Sequence, residues 1–162
     1  MLGIAKGYAT RVGAGPFPTE LEDETGNFLR NRGNEFGSVT GRPRRCGWLD
    51  VPALRLAIRI SGIEGLALTK LDVMATLPKV KMCVAYRLHG QTLEEMPLDL
   101  EDLAAAEPVF EEMDGWSDMA SDTIPPAAAR FVERVSALVG IPVWGTSWGP
   151  GRSQTILTRA LF

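Results

Sequence analysis

Gly65-Leu66-Ala67-Leu68-Thr69 is a short apolar run that leads directly into Lys70-Leu71-Asp72. A run of this length and composition predicts a buried strand, the kind that occupies the middle of a parallel sheet. Open α/β sheets take their ligands beyond the carboxyl ends of such strands, so Lys70-Leu71-Asp72 is delivered to a place where function is expected. Upstream, Asp50 precedes Val51, Leu54 and Ile58 on one helical face, with Arg55 and Arg59 pointing another way. That pattern predicts a helix capped by Asp50 and ending near Gly62. Downstream, Val80, Met82, Val84, Tyr86 and Leu88 alternate with Lys81, Cys83, Ala85 and Arg87, the period of a half-buried strand. His89-Gly90 then predicts a hairpin turn into residues 91–95.

The ends of the chain fit the same α/β class. Ile4 to Val12 predicts a strand that runs into Gly13-Ala14-Gly15-Pro16-Phe17-Pro18, too rich in glycine and proline for regular structure. Pro125 and Pro126 suit the first turn of a helix in which Phe131, Val135 and Leu138 share a face, and Gly140 with Pro142 stops it. A final strand pair is expected at 142–146 and 154–158, around the loop Ser147-Trp148-Gly149-Pro150-Gly151-Arg152.

Composition bounds the function. In 162 residues, 17 Lys and Arg against 20 Asp and Glu leave a net charge of −3, which argues against a dedicated nucleic-acid binder. With 45% hydrophobic residues the chain can bury a core, and neither a membrane span nor a signal peptide is expected, because Lys6 and Arg11 interrupt the opening residues. Cys46 and Cys83 have no paired spacing and His89 is the single histidine, so neither a zinc site nor a disulfide framework is indicated and a reducing, cytosolic setting fits.

Three segments carry candidate chemistry. In Ser38-Val39-Thr40-Gly41-Arg42-Pro43-Arg44-Arg45 three guanidiniums follow a turn glycine within four positions. Arginine offers planar paired donors matched to carboxylate and phosphate, so Arg42 and Arg44 could converge on one anion; a solvated basic loop is the other reading. Thr69-Lys70-Leu71-Asp72 is similar to the Asn-Lys-x-Asp element with which many GTP-binding proteins read guanine. Its aspartate can accept from the N1-H and 2-amino groups that adenine lacks; Asp72 capping a short helix is the alternative. In Ser147-Trp148-Gly149-Pro150 the glycine lets backbone N–H groups approach a base, and Trp148 either stacks on it or packs into the core. The acidic run Glu20 to Glu24 and the pair Glu111-Glu112 read as solvated faces, His89 as an exposed hairpin tip, and Cys46 as a small buried thiol.

Together these segments resemble the adenylosuccinate synthetase family. The resemblance rests on Thr10-Arg11-Val12-Gly13-Ala14-Gly15-Pro16-Phe17-Pro18-Thr19-Glu20-Leu21, on Asp23-Glu24-Thr25-Gly26, and on Arg32-Gly33-Asn34-Glu35-Phe36-Gly37 leading into 40–50. Leu68 to Val73, Val84-Ala85-Tyr86, Gly115-Trp116 and Ser147 to Pro150 continue it in order. It implies the C-terminal part of a P-loop-like mixed-sheet domain with flanking helices and a β-hairpin, incomplete as a domain. Residues 1–49 would be a substrate-loop region and 50–162 a guanine-binding α/β region.

The implied activity is ligation of L-aspartate to IMP at the expense of GTP, in de novo AMP synthesis. Ser38, Val39, Thr40, Gly41, Arg42, Pro43 and Arg44 would bind aspartate and IMP. Arg44, Lys70, Leu71, Asp72, Ser147, Trp148 and Gly149 would bind GTP. The family's Gly-Asp-Glu-Gly-Lys-Gly phosphate loop, with its catalytic aspartate and histidine, does not occur here, so no catalytic residue or metal ligand is expected in these residues. Mg²⁺ ligands belong to the missing portion, and the chain is expected to be a fragment that is inactive alone. Resemblance further implies a cytoplasmic homodimer for the complete enzyme, with no nucleic-acid or membrane partner. Val39 stands where a threonine is common, and Trp148 where a smaller residue is usual. A stand-alone, non-catalytic guanine-nucleotide binding module is the alternative.

Overall fold

The structure is a computed structural model that describes residues 1–117 and 123–158. Along the chain run β1 (Leu2–Lys6), β2 (Tyr8–Arg11), α1 (Glu24–Arg32), β3 (Arg45–Asp50), α2 (Val51–Ser61), β4 (Gly65–Thr69) and β5 (Lys79–Leu88). There follow β6 (Gln91–Leu93), α3 (Leu100–Ala105), β7 (Glu107–Asp114), α4 (Pro126–Val139), β8 (Val143–Ser147) and β9 (Thr155–Leu157). Short 3₁₀ turns lie at Leu71–Met74 and Arg152–Gln154. These elements form two compact units, one from 1–7, 54–80 and 112–162, the other from 8–53 and 81–111. Each contains one mixed sheet.

In the first unit the sheet order is β1-β4-β8-β9. The apolar run 65–69 is its centre: β4 pairs in parallel with β1 (Ala5 opposite Leu68) and with β8 (Leu68 opposite Thr146), while β9 returns antiparallel to β8. Leu66 and Leu68 are buried, as are Leu71, Met74, Phe131 and Val135, so one face of α4 and the turn after β4 enclose the sheet's apolar side chains. The Phe131 and Trp116 rings sit 5.6 Å apart at 58°. Gly65 has to be glycine, because a β-carbon there would lie 2.2 Å from the Trp144 ring. Helix α4 stops at Gly140, whose φ of +76° L side chains rarely adopt.

The second unit is built on β2-β3-β5-β6, with β7 beside β5. Here β2 and β3 are antiparallel, β3 and β5 parallel, and β5 and β6 form the expected hairpin, Leu88 facing Gln91 across His89 (φ +50°) and Gly90 (φ +78°). β5 has in-sheet partners in β3, β6 and β7, and its middle is buried on both faces. Cys83 and Ala85 are buried along with Met82 and Tyr86, rather than alternating with them. Burial in this setting pushes the Cys83 thiol up to about 12, so it stays protonated and inert.

Two expectations need correction. The predicted strand over 4–12 is two strands in two different sheets, broken at Gly7, whose N–H bonds the Thr69 carbonyl at 2.9 Å. A side chain at position 7 would press on Met74 Sδ at 2.7 Å, which explains the glycine at the break. Asp72 is not a helix cap: it lies inside the 3₁₀ turn, and the capping position is Lys70, held in the left-handed region at φ +60°. Asp50 does cap α2, accepting the Ala53 N–H at 3.1 Å on Oδ1 while Oδ2 accepts from the Tyr86 hydroxyl at 2.5 Å. Burial raises the Asp50 carboxyl above its ordinary range, opposed in part by the Tyr86 bond. No helix among the described residues is long and apolar enough to cross a membrane.

Candidate functional site

The arginine loop grows out of the end of α1. Gly33 caps that helix and Asn34, at φ +50°, reverses the chain. Glu35 then returns alongside Arg44, Phe36 alongside Pro43, and the turn closes through Gly37 N–H to the Arg42 carbonyl at 2.8 Å and Gly41 N–H to the Gly37 carbonyl at 2.9 Å. Gly41, at φ +64°, is the bend that a β-carbon would resist. Ser38, Val39, Thr40 and Gly41 form the tip, with Val39 94% exposed.

Three neighbouring arginines are in three different conditions. The Arg42 side chain is exposed. Arg44 is partly buried, its Nη1 donating to Glu35 Oε2 at 2.8 Å. Arg45 is structural: it pairs with Glu20 through Nε (2.8 Å) and Nη2, donates from Nη1 to the Gly15 carbonyl at 2.8 Å, and lies 5.5 Å over the Phe17 ring. Glu20 is therefore not part of a solvated acidic face, although Glu22, Asp23 and Glu24 beside it are exposed.

The hydrogen bond from Arg45 is the main cause that holds the Glu20 carboxyl below its ordinary 4.5. A depressed carboxyl contributes stability that is present above its unfolded value and lost as pH falls through the folded one. Glu20→Gln is accordingly expected to cost about 1 kcal/mol near neutrality. That difference from the native chain should vanish at acid pH, well below the carboxyl's ordinary 4.5. Urea midpoints across this range check it; a difference that persists in acid contradicts the assignment.

In the first unit, β4 and β8 run in parallel with Leu68 opposite Thr146, so both strands release their chains at the same end of the sheet. This register brings Lys70-Leu71-Asp72 and Ser147-Trp148-Gly149 to one sheet edge. Lys70 and Asp72 are half-buried there, while Leu71 is fully buried and its carbonyl accepts from the Trp116 indole N–H at 3.0 Å. Trp148 is 1% exposed, so its indole is core mass and the loop's outer contribution is backbone and Ser147. The Ser147 hydroxyl donates to the Gly149 carbonyl at 3.0 Å, and Trp148 N–H to the Gln154 carbonyl at 3.0 Å. Gln154 is the loop's internal brace, its Oε1 accepting from Gly151 N–H at 2.9 Å; a β-carbon on Gly149 would meet that oxygen at 2.3 Å.

Sequence reasoning missed Gln154, Glu35 and Tyr8. A glutamine three residues after Gly151, placed so that its side chain can reach back to that glycine's N–H, was the usable signal for the first. His89 is exposed, as expected, and contacts Asp102 at 3.0 Å. The second unit also has a cavity of about 200 Å³ lined by Thr10, Arg11, Phe17, Asp50, Met96 and Leu103, among others. Among the described residues no group of three or more His, Cys, Asp or Glu side chains is placed to hold a metal ion.

By fold, a chain with parallel strands that gather lysine, aspartate and serine at one carboxyl edge falls in the broad class of α/β proteins that seat ligands beyond strand ends. The family model for adenylosuccinate synthetase matches residues 1–156. The chain belongs to the adenylosuccinate synthetase family. It is similar to adenylosuccinate synthetases of Anaeromyxobacter sp. (54% identical, covering 100% of this chain and 39% of that one) and Caldanaerobacter subterraneus subsp. tengcongensis (49%, covering 98% and 38%). Among solved structures it is similar to fully ligated adenylosuccinate synthetase from Plasmodium falciparum, with a TM-score of 0.91, 36% identity, and coverage of 98% of this chain and 39% of that one. This chain thus spans about two fifths of the length of these relatives.

Proposed function

We propose that this chain supplies the aspartate-binding and guanine-binding part of a ligase that uses GTP to join L-aspartate to IMP, giving adenylosuccinate, GDP and phosphate. The observation that carries this reading is the family match across residues 1–156. Residues 1–49 would form the substrate-loop region and 50–162 the guanine-binding region. Ser38 to Arg44 would close on the amino acid and the IMP ribose, Arg42 and Arg44 neutralising and orienting the aspartate carboxylates, with Arg44 also reaching GTP. The exposure of Arg42 and the fixed setting of Arg44 support those roles. Lys70, Asp72 and Ser147, with the backbone of Leu71, Trp148 and Gly149, would hold guanine, a reading supported by the β4–β8 register.

The reaction has two stages: the γ-phosphoryl group passes to the 6-oxygen of IMP, and the aspartate amine then displaces phosphate. What these residues contribute is positioning of a dianion and selection of a base, and positioning of that kind raises the effective concentration of the second substrate. Mg²⁺, where present, would be held by residues outside this chain and would offset phosphate charge; no acidic cluster among the described residues fits it. Catalytic groups and the phosphate loop would likewise come from the portion of the family's chain not represented here. The complete enzyme would be a cytoplasmic homodimer using only small-molecule substrates.

Co-expression with the N-terminal portion of the Anaeromyxobacter relative tests this directly. The complemented assembly is expected to form adenylosuccinate from GTP, IMP and aspartate, and the chain alone to form none. A folded assembly that stays inert counts against the ligase reading. GTP binding by the isolated chain together with that inertness would favour a non-catalytic guanine-binding module.

A further inference from the structure

Glu35 is a carboxylate with 0% exposure. An ion of this kind is retained in an interior only where charge and hydrogen bonds meet it. Both oxygens are met: Oε1 accepts from the Tyr8 hydroxyl at 2.6 Å and Oε2 from Arg44 Nη1 at 2.8 Å. The backbone repeats the connection. Arg44 N–H donates to the Glu35 carbonyl at 2.9 Å, Glu35 N–H to the Arg30 carbonyl at 2.8 Å, and Arg30 Nε to the Arg44 carbonyl at 2.8 Å. Arg44 is thereby fastened at both main chain and guanidinium, whereas Arg42 is exposed and no carboxylate of the described residues holds it.

We propose that Glu35 is the positioning residue of the arginine loop. With Tyr8 behind it, its carboxylate fixes the plane of the Arg44 guanidinium so that the remaining N–H edge is presented to an anionic ligand, and Arg42 supplies a second guanidinium that is not preset. This rests on the reading of the loop as a carboxylate site given above. The guanidinium is a rigid planar fork, so a hydrogen bond at Nη1 limits the directions in which its remaining N–H groups can point, which a lysine ammonium could not convey.

Charge alone predicts the opposite sign. Glu35 neutralises Arg44, so Glu35→Gln, which keeps the shape and removes the charge, leaves the loop more positive and would strengthen its attraction for a dianion. If orientation governs, the same substitution weakens binding.

Arginine side-chain NMR on the nitrogen-labelled chain reads the geometry without any need for activity. Native Arg44 is expected to give resolved, slowly rotating guanidinium signals, as is Arg45 against Glu20. In Glu35→Gln the Arg44 signals merge with those of exposed arginines while the Arg45 signals persist and report an intact fold. In the complemented assembly, Glu35→Gln is expected to raise the KM for L-aspartate roughly tenfold with kcat changed less than about threefold. Tyr8→Phe, which keeps the charge, is expected to raise it about threefold. A KM that falls in Glu35→Gln, a KM unchanged while the Arg44 signals are lost, or native Arg44 signals like those of an exposed arginine each overturn the proposal. Should Glu35→Gln also lose the Arg45 signals, Tyr8→Phe is read in its place. An assembly without turnover overturns the ligase reading instead, and the native and Tyr8→Phe arginine signals then decide the role of Glu35.

Discussion

Asp72→Asn is expected to lower the affinity of the complemented assembly for GTP by roughly a hundredfold or more, the worth of two hydrogen bonds to a charged acceptor. Guanine presents two donors on one edge, the ring N1-H and the 2-amino group, and a carboxylate accepts both. Asparagine offers one acceptor and one donor, and the donor faces a donor. Xanthine carries a carbonyl in place of the 2-amino group, so XTP should gain where GTP loses. Titrating wild-type and Asp72→Asn assemblies with GTP, XTP and ATP measures the reversal. GTP affinity unchanged by the substitution would remove Asp72 from the base site, whatever the rest of the loop does.

Phe131→Ala is expected to be the most damaging of the stability changes considered. The side chain is fully buried on α4 and meets Trp116 at 5.6 Å, so truncation both removes apolar contact and opens a cavity. The cost should be about 3–5 kcal/mol. Against a typical total of roughly 5–15 kcal/mol, that is enough to leave much of the chain unfolded. Urea unfolding of the chain gives the number as a shift in midpoint at constant slope. Ile60→Ala, at a position 74% exposed on α2, is the control and should change little. A loss under about 1 kcal/mol for Phe131→Ala would mean that α4 is not anchored through this ring.

Where period and punctuation agreed, the elements were legible. β4 has an uninterrupted apolar run, α2 an aspartate cap and a closing glycine, the β5–β6 hairpin a His-Gly turn, and α4 two prolines at its start and glycine at its end. α1 was not legible, because its first turn follows an acidic run that reads as solvent-facing, and apart from Asp23 capping Gly26 at 3.0 Å little there announces a helix. β3 was hidden by the arginine that opens it: Cys46, Gly47, Trp48 and Leu49 are buried, but the strand begins with a charge whose partner, Glu20, is 25 positions away. The candidate site follows the same division. Arg42, Arg44, Lys70 and Asp72 announce themselves by residue type. Glu35 does not, because a buried carboxylate and a solvated one are the same letter, and its partner Tyr8 is 27 positions away.

Arg45 exerts its hold on the Gly13 to Pro18 stretch through backbone oxygens, on Gly15 at 2.8 Å and Gly13 at 3.3 Å. Every amino acid carries such an oxygen, so at 13 and 15 the clasp does not read side chains, whereas at Phe17 it also lies over the ring. Variation along 13–16 can accumulate wherever the torsion angles permit it, whereas the clasp itself admits no substitute, lysine included, since a single ammonium cannot grip a carboxylate in parallel and still reach two carbonyls. Latitude in one segment is thus bought by rigidity at a single position in another.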